Sequence, residues 1–513
     1  MNRHNRSERA RSLMLGALPQ ECRTVGGSWI AGRWKTGAES FETIDPATGE
    51  PLHTVAQASA ADIDEAAEAA ALAGDRWWST DGQVRAQIFW RIADGIRSRA
   101  RELGVLDTLD AGRPIRDTQT RDPERAARIF EYFAGLTDRI RGATIPVQPG
   151  MRNATVMEPH GVVGAIIPWN YPLTNAATKL APALATGNAV ILKPAEDTPL
   201  SAMLLAEITK EAGLPDGLLS ILQGSGDIVG RAIVEHPLVN KIAFTGSTDV
   251  GRQIARSAGD SLKSVTLELG GKSAFVVFGD ADLDEAAAAL VFSLLNNQGQ
   301  TCTAATRLLA PRHLADALLD RITAIAATIR LGDPLDPATL VGPLVSKGQF
   351  DRVSRYVELG RQEGAEAIPL HLDRRLDGLG GFFPDPMVFR SVSPRMRIHC
   401  EEIFGPILVM LTFEDEEEAL AIANGTDYGL SSSIWTNDLR RAERLSARIE
   451  SGLVWINTVH SLHPGSPYGG FRQSGIGSEM GTEAVSQFMK TKSIWTAVEP
   501  YRSPWGPESA GQT

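Results

Sequence analysis

The chain has 513 residues, room for several domains at about 100–200 residues each. With 43% hydrophobic and 22% charged residues it has the balance of a globular protein, not a disordered or fibrous one. A net charge of −11 argues against a nucleic-acid surface, which needs a basic face, but leaves room for a local basic pocket that holds phosphate.

In chain order, the Arg-rich start, MNRHNRSERARSLMLGALPQ, carries one acid, Glu8. It lacks the long apolar core and the cleavage site of a secretory signal. It reads as a disordered tail over residues 1–20, with a transit peptide as the alternative. Residues 60–135 are mostly amphipathic helix, as in DIDEAAEAAALAG and RAQIFWRIADGIRSRARELG, suited to packing on a sheet. From Gly161, short apolar strands alternate with helices: GVVGAII, NAVILK, LLSIL, KIAFTG and KSVTLEL, with helices over 175–185, 200–212, 227–235 and 249–258 between them. This is the pattern of a parallel sheet covered on both faces.

A second series begins after Gly270–Gly271 with SAFVVF. A helix capped by Asp282 or Asp284 runs towards Gln298 and contains Ala286–Leu295, the most apolar run, which is too short to span a bilayer. Then come TRLLAP, a helix over 314–330, PILVMLTF, a helix over 415–423, SSSIWT, a helix over 439–449 and GLVWIN. Strand-like pieces around 140–158 and 485–498 have no sheet of their own, as if they met another subunit. The expected fold is α/β, with two Rossmann-like doubly wound domains and a small β oligomerisation element. The first, nucleotide-binding domain takes 21–139 and 159–270, and the catalytic domain 271–480. The oligomerisation strands take 140–158 and 481–500, and 501–513 forms a tail.

Three cysteines, Cys22, Cys302 and Cys400, allow no disulfide framework and no zinc spacing, and suit a reducing, cytoplasmic setting. Cys302 lies in QGQTCTA among small polar residues, where a thiol is accessible instead of packed among aliphatics. Locally it is as readable as an inert thiol as it is as a nucleophile. Glu268 in TLELGGK ends an apolar strand, where desolvation raises a carboxyl pKa towards general-base use; a capping or ion-paired role competes. Asn170 in PWNYP can aim an N–H at an oxyanion or simply form a turn. Lys193 and Glu196 in ILKPAED follow a strand where open sheets bind ligands; a solvated Lys–Glu pair competes. FTGST, Phe244–Thr248, opens a helix with Gly246 and Gly251 in a G-x-x-x-x-G spacing, which fits either a phosphate approach or a tight turn.

These motifs in this order resemble the aldehyde dehydrogenase superfamily, from IDPATGE at Ile44–Glu50 to about Trp495. LELGGKS, GQTC and EEIFGPIL are the most specific pieces; PWNYPL, KPAE, FTGST and PYGGFRQSG agree. The resemblance implies a Cys302 nucleophile, a Glu268 base and an oxyanion held by Asn170 and the Cys302 backbone N–H. It implies that Lys193 and Glu196 hold the adenosine ribose, with Glu196 favouring NAD over NADP. Thr245, Gly246 and Ser247 would line the pyrophosphate approach, Glu402 and Gln349 would meet ribose, and Phe404 would lie beside the nicotinamide. Ile167, Pro168, Trp169, Gly226, Phe244 and Leu269 complete the implied cofactor contacts. The substrate tunnel would include Tyr171, Asn175, Thr178, Leu462 and Tyr468, with Val459, His460 and His463 near the mouth.

Relatives that oxidise small aliphatic aldehydes often carry a large aromatic at the position of Thr178, so threonine implies a bulky apolar aldehyde: aromatic, terpenoid or longer aliphatic. No arginine or lysine stands out in this tunnel set, which disfavours an acidic semialdehyde. The family also implies a homotetramer or homodimer, and allows a monovalent cation near Thr43, Asp110 and Asp197; no other metal, nucleic acid or membrane is expected. Three rivals stand. A CoA-acylating relative generally lacks the glutamate of LELGG. A non-catalytic scaffold would not need Asn170, Glu268 and Cys302 together. A thiol hydrolase without nucleotide would leave FTGST, KPAE and EEIFGP without a role.

Overall fold

Alternation from Gly161 onward builds one eight-stranded sheet. In the computed structural model, which describes residues 3–501, 503 and 505, its order is Arg33–Lys35, Ser28–Ile30, Leu219–Ile221, Ala189–Lys193, Val162–Ile166, Lys241–Thr245, Ser264–Glu268, Gly475–Ile476. The five inner strands are parallel and the outer pairings antiparallel. Their residues are almost all buried, as strands covered on both faces require. From Val162–Ile166 the chain first winds to one side and then returns to the other. The crevice between Val162–Ile166 and Lys241–Thr245 is therefore a topological switch point, where open α/β sheets bind ligands beyond the strand C-termini.

The second sheet has seven strands, ordered Glu366–Pro369, Met387–Arg390, Ile407–Phe413, Ala305–Pro311, Ser273–Val277, Ser431–Trp435, Leu453–Ile456. All its pairings are parallel except the first. Along Ser273–Val277, Phe275 and Val277 join one apolar cluster while Ala274 and Val276 join another, the two-residue alternation of a sheet with two covered faces. The helix Leu283–Leu295 is capped by Asp282, whose carboxylate accepts from the backbone N–H of Asp284 and Glu285. The helix expected to reach residue 330 ends earlier, at Ala326, and Arg330 begins a short strand. Strands Met489–Ala497, Met151–Pro159 and Thr144–Ile145 form a separate antiparallel sheet, so the two stretches expected to have no sheet of their own pair with each other, a pairing across more than 300 residues that local sequence does not carry.

The expected N-terminal disorder is wrong. Residues Arg3–Ala17 form a helix whose Arg6, Ala10, Met14 and Ala17 share one buried face. Arg6 is only 1% exposed; it pairs with Asp45 and with Asp333, the latter at 3.1 Å. Composition hides this because the anchor of the buried face is an arginine, whose charge is satisfied by two carboxylates distant in sequence. Most of the tail expected over 501–513 lies outside the described residues. Among the described residues no helix is long and apolar enough to cross a membrane.

Candidate active site

The first sheet delivers its strand ends to one cavity of about 1290 Å³. Val162–Ile166 leads into Pro168, Trp169 and Asn170; Lys241–Thr245 leads into Gly246 and Ser247; Ser264–Glu268 ends on Glu268 and Leu269, and all of these beyond the strands line the cavity. The turn that follows Leu283–Leu295 brings Cys302 to the same wall.

That turn is strained in a specific way. Asn297, Gln298 and Gly299 have φ of +50°, +56° and +72°, three successive left-handed residues. For the two non-glycine residues this costs on the order of 1–2 kcal/mol each. A side chain at Gly299 would meet the Gly405 carbonyl carbon at 2.4 Å, so glycine is required here by packing as well as by backbone. The Asn297 amide donates to the carbonyls of Asn170 (2.8 Å) and Gln300 (3.2 Å), which ties the turn to the Asn170 loop.

Around the sulfur, Cys302 Sγ lies 3.0 Å from Tyr468 Oη. Burial pushes the Cys302 thiol up to about 11, while the Tyr468 hydroxyl pulls the other way. Asn170 donates from Nδ2 to the Gln300 carbonyl (3.0 Å), and its Oδ1 accepts from Asn175 Nδ2 (3.3 Å). Asn175 thereby fixes which end of the Asn170 amide is the donor.

Glu268 is 2% exposed, and neither carboxylate oxygen has a hydrogen-bond partner. Burial raises its pKa well above the usual carboxylate range, opposed only by Lys179. Burial also draws Lys179 down to about 7, yet its ammonium contacts Glu479 directly and lies in the field of Glu268. With two carboxylates facing it, the charged form is the one this geometry supports.

A second group of contacts defines the other end. Trp169 and Phe404 meet edge to face at 5.2 Å, and Gln349 Nε2 donates to the Phe404 carbonyl (2.7 Å). Glu402 accepts from the Gly271 N–H (3.0 Å), and burial lifts its pKa to about 7. Just beyond, Lys193 Nζ donates to Glu196 (3.2 Å) and to the Pro194 carbonyl (2.8 Å), and Glu196 accepts from the Gly226 N–H (3.4 Å). Burial alone would raise Glu196, but Lys193 and the backbone N–H groups that donate to the carboxylate together hold it below its usual range.

Of the residues singled out in the sequence, Pro168, Trp169, Asn170, Tyr171, Asn175, Thr178, Thr245, Gly246, Ser247, Glu268, Leu269, Cys302, Gln349, Glu402, Phe404, Leu462 and Tyr468 all line the cavity. Lys193, Glu196 and Gly226 form the adjoining cluster. Ile167 and Phe244 are buried beneath the wall and outside its lining, so only their backbone can serve a ligand. His460 and His463 reach the cavity, while Val459 packs on the second core. Thr43 and Asp197 share a separate cavity of about 330 Å³, which Asp110 does not line. Among the described residues no group of three or more His, Cys, Asp or Glu could hold a metal ion.

Sequence reasoning missed the arginines. Arg113, Arg121, Arg125 and Arg128 all line the cavity beside the expected tunnel set, in which no arginine or lysine stands out, and this removes the ground for disfavouring an acidic semialdehyde. Arg121, Arg125 and Arg128 lie on the helix Arg121–Ala134, which reads as an amphipathic cover until packing turns its charged face to the opening, and Arg113 lies in the turn after Ala111. The left-handed turn was also missed, although Asn-Asn before Gln-Gly signals tolerance of positive φ.

A model of the aldehyde dehydrogenase family matches residues 34–494. Aldehyde dehydrogenase 1 of Tanacetum cinerariifolium is 40% identical over 469 residues, 91% of this chain and 93% of that one. PnpE of Pseudomonas sp. WBC-3, solved in complex with nicotinamide adenine dinucleotide, shares 40% identity and a TM-score of 0.91 over 93% of this chain and 99% of its own. The NAD+ complex of an aldehyde dehydrogenase from Bacillus cereus shares 39% identity and a TM-score of 0.89 over 92% and 96% of the two chains. Sequence, fold and cavity therefore agree, and the chain belongs to the aldehyde dehydrogenase family.

Proposed function

We propose that this chain oxidises a bulky, largely apolar aldehyde to its carboxylic acid, with NAD as hydride acceptor and Cys302 as covalent nucleophile. The observation that carries this is the meeting of a cysteine sulfur, an unpartnered buried carboxylate and an oriented amide in one cavity at a topological switch point.

The residues fit the dinucleotide. Thr245 Oγ1 is buried without a partner, and a side chain at Gly226 would project into open space, so a ligand can approach both. Lys193 and Glu196 would hold the adenosine ribose. The Glu196 carboxylate can accept from two ribose hydroxyls and repels a 2′-phosphate, which favours NAD over NADP. Thr245, Gly246 and Ser247 would meet the pyrophosphate, Glu402 and Gln349 the second ribose, and Trp169 and Phe404 the nicotinamide end. NAD, when bound, supplies the acceptor for the hydride.

The chain's own residues do the rest. The Cys302 thiol gives up its proton to solvent, and the sulfur bonds to the carbonyl carbon. Asn170 Nδ2 and the Cys302 N–H receive the oxyanion. Once the hydride has left, the carbon is a thioester on Cys302. Glu268 then takes a proton from water as its oxygen bonds to that carbon. The carbon–sulfur bond breaks with the electron pair on sulfur, Glu268 passes its proton to that sulfur, and the acid leaves. The Thr178 hydroxyl is satisfied by the Thr174 carbonyl (2.9 Å), so this position offers volume more than polarity, which supports a bulky substrate body.

An aldehyde panel assayed by NADH absorbance, with and without CoA, tests the reading; a strict CoA requirement defeats it in favour of the acylating alternative. The three-stranded sheet leaves Ile494 43% and Trp495 55% exposed, which supports pairing with a second copy as a dimer or tetramer, testable by analytical ultracentrifugation. Three free cysteines support a cytoplasmic setting.

A further inference from the structure

We propose that the preferred aldehyde carries a carboxylate at the end remote from its carbonyl, and that Arg125 binds it; this rests on the aldehyde-oxidising reading above. Arg125 projects from the helix Arg121–Ala134, is half-buried and lines the cavity that holds Cys302. Among the described residues its guanidinium makes no hydrogen bond and no ion pair, although it offers five donors. A cavity-lining guanidinium that spends none of its donors on the protein is free to take an acceptor from a ligand.

The surrounding acids are already committed. Asp122 is held by Arg113 at 2.7 and 3.0 Å, Asp117 by Arg121 at 3.4 Å, Glu124 by Arg97 at 2.8 Å and Arg128 at 2.7 Å, and Glu479 by Lys179. Arg125 therefore stands as the uncancelled charge of this wall. Its field reaches Asp122, His460 and Tyr468. Tyr468 is the residue that touches the Cys302 sulfur, so the cation and the nucleophile address the same chamber.

The neighbours suit the rest of such a molecule. Arg113 covers the Tyr171 ring at 4.0 Å and Arg121 the Phe292 ring at 5.6 Å, so aromatic surface accompanies the cationic groups. His460 bonds to Ser293 (2.9 Å) and Thr303 (3.2 Å) and is held neutral, its pKa pushed down to about 4 by burial, so it does not compete for an anion. An arginine's planar fork matches a carboxylate in two hydrogen bonds. The fit is to a substrate with an apolar or aromatic body and a carboxylate head.

The test compares 4-carboxybenzaldehyde with benzaldehyde, and 6-oxohexanoate with hexanal, on the full-length enzyme with NAD. At least one acid should exceed its neutral partner in kcat/KM, and that ratio should fall about ten- to a hundredfold in Arg125→Met, the loss of a charge-assisted pair. Arg125→Lys should recover part of the ratio, and the acid's KM should rise with ionic strength while the neutral partner's does not. Because a ratio is read, any general loss of activity in the variant divides out. Thermal-shift binding of the same pairs to Cys302→Ser reads recognition without turnover. Acid-selective binding without NADH formation would overturn the oxidation reading alone. Equal handling of acid and neutral aldehydes by the wild-type protein, or an unchanged ratio in Arg125→Met, overturns the role of Arg125.

Discussion

Replacing Tyr468 by Phe removes one hydroxyl and keeps the ring. That hydroxyl lies 3.0 Å from the Cys302 sulfur and stabilises the thiolate against a burial that already lifts the thiol to about 11. A hydrogen bond to a charged group contributes about 1.5–3 kcal/mol, which is about one to two pH units. The thiolate exists above the thiol pKa, so the variant's pKa moves upward and less thiolate is present at any neutral or mildly basic pH. Each unit cuts the thiolate fraction about tenfold but raises its intrinsic nucleophilicity about threefold. The net slowing of alkylation is then about 3- to 12-fold across that range. Iodoacetamide inactivation of the enzyme without NAD, followed as a function of pH, measures this directly. The wild-type rate should climb throughout the accessible alkaline range, and the Tyr468→Phe curve should lie to its right. Superimposable curves, or a faster variant, refute the argument that this hydroxyl supports the thiolate.

Glu268→Gln should preserve a burst of NADH in stopped-flow absorbance while slowing steady-state turnover about 10²- to 10⁴-fold, the loss of a general base; equal loss of both phases contradicts the role given to Glu268. Because burial raises the Glu268 pKa, the protonated, inactive carboxyl persists to higher pH than usual, so wild-type deacylation should rise with pH and the glutamine variant should lose that dependence. Glu196→Ser should raise the KM for NAD about ten- to a hundredfold and narrow the preference over NADP, measured by initial rates with each dinucleotide; an unchanged pair of constants removes Glu196 from ribose recognition. Arg6→Ala leaves Asp45 buried without its cation and should cost about 3–5 kcal/mol, read as a lower urea midpoint by tryptophan fluorescence; an unmoved midpoint means the N-terminal helix is not docked.

Much of the fold was legible because both sheets are parallel and doubly covered. Their strands, such as AVILK and SAFVV, are short apolar runs separated by helices, a pattern that local sequence carries by itself. The pieces that escaped are those whose pairing depends on distant chain. Gly475–Ile476 is two residues long and counts as a strand only because Ser264–Glu268 lies beside it. The antiparallel edge Ser28–Ile30 with Arg33–Lys35 has the same dependence. At the site, Cys302, Glu268 and Asn170 were readable from residue type and from their places at element ends. Arg125 was not, since a charge on an amphipathic helix looks solvated until the fold decides what its face opens onto.

Arg6 also constrains the order in which the protein can be finished. Its two carboxylate partners lie 39 and 327 residues downstream. At about 5–20 residues per second, a ribosome needs roughly 16–65 seconds to bring out the more distant partner after Arg6 is made. Through that interval the guanidinium must stay in water, because sealing it inside with half its counter-charge missing is unfavourable. The first helix made is therefore among the last to be locked in place, and it closes over a chain whose second sheet is already under construction.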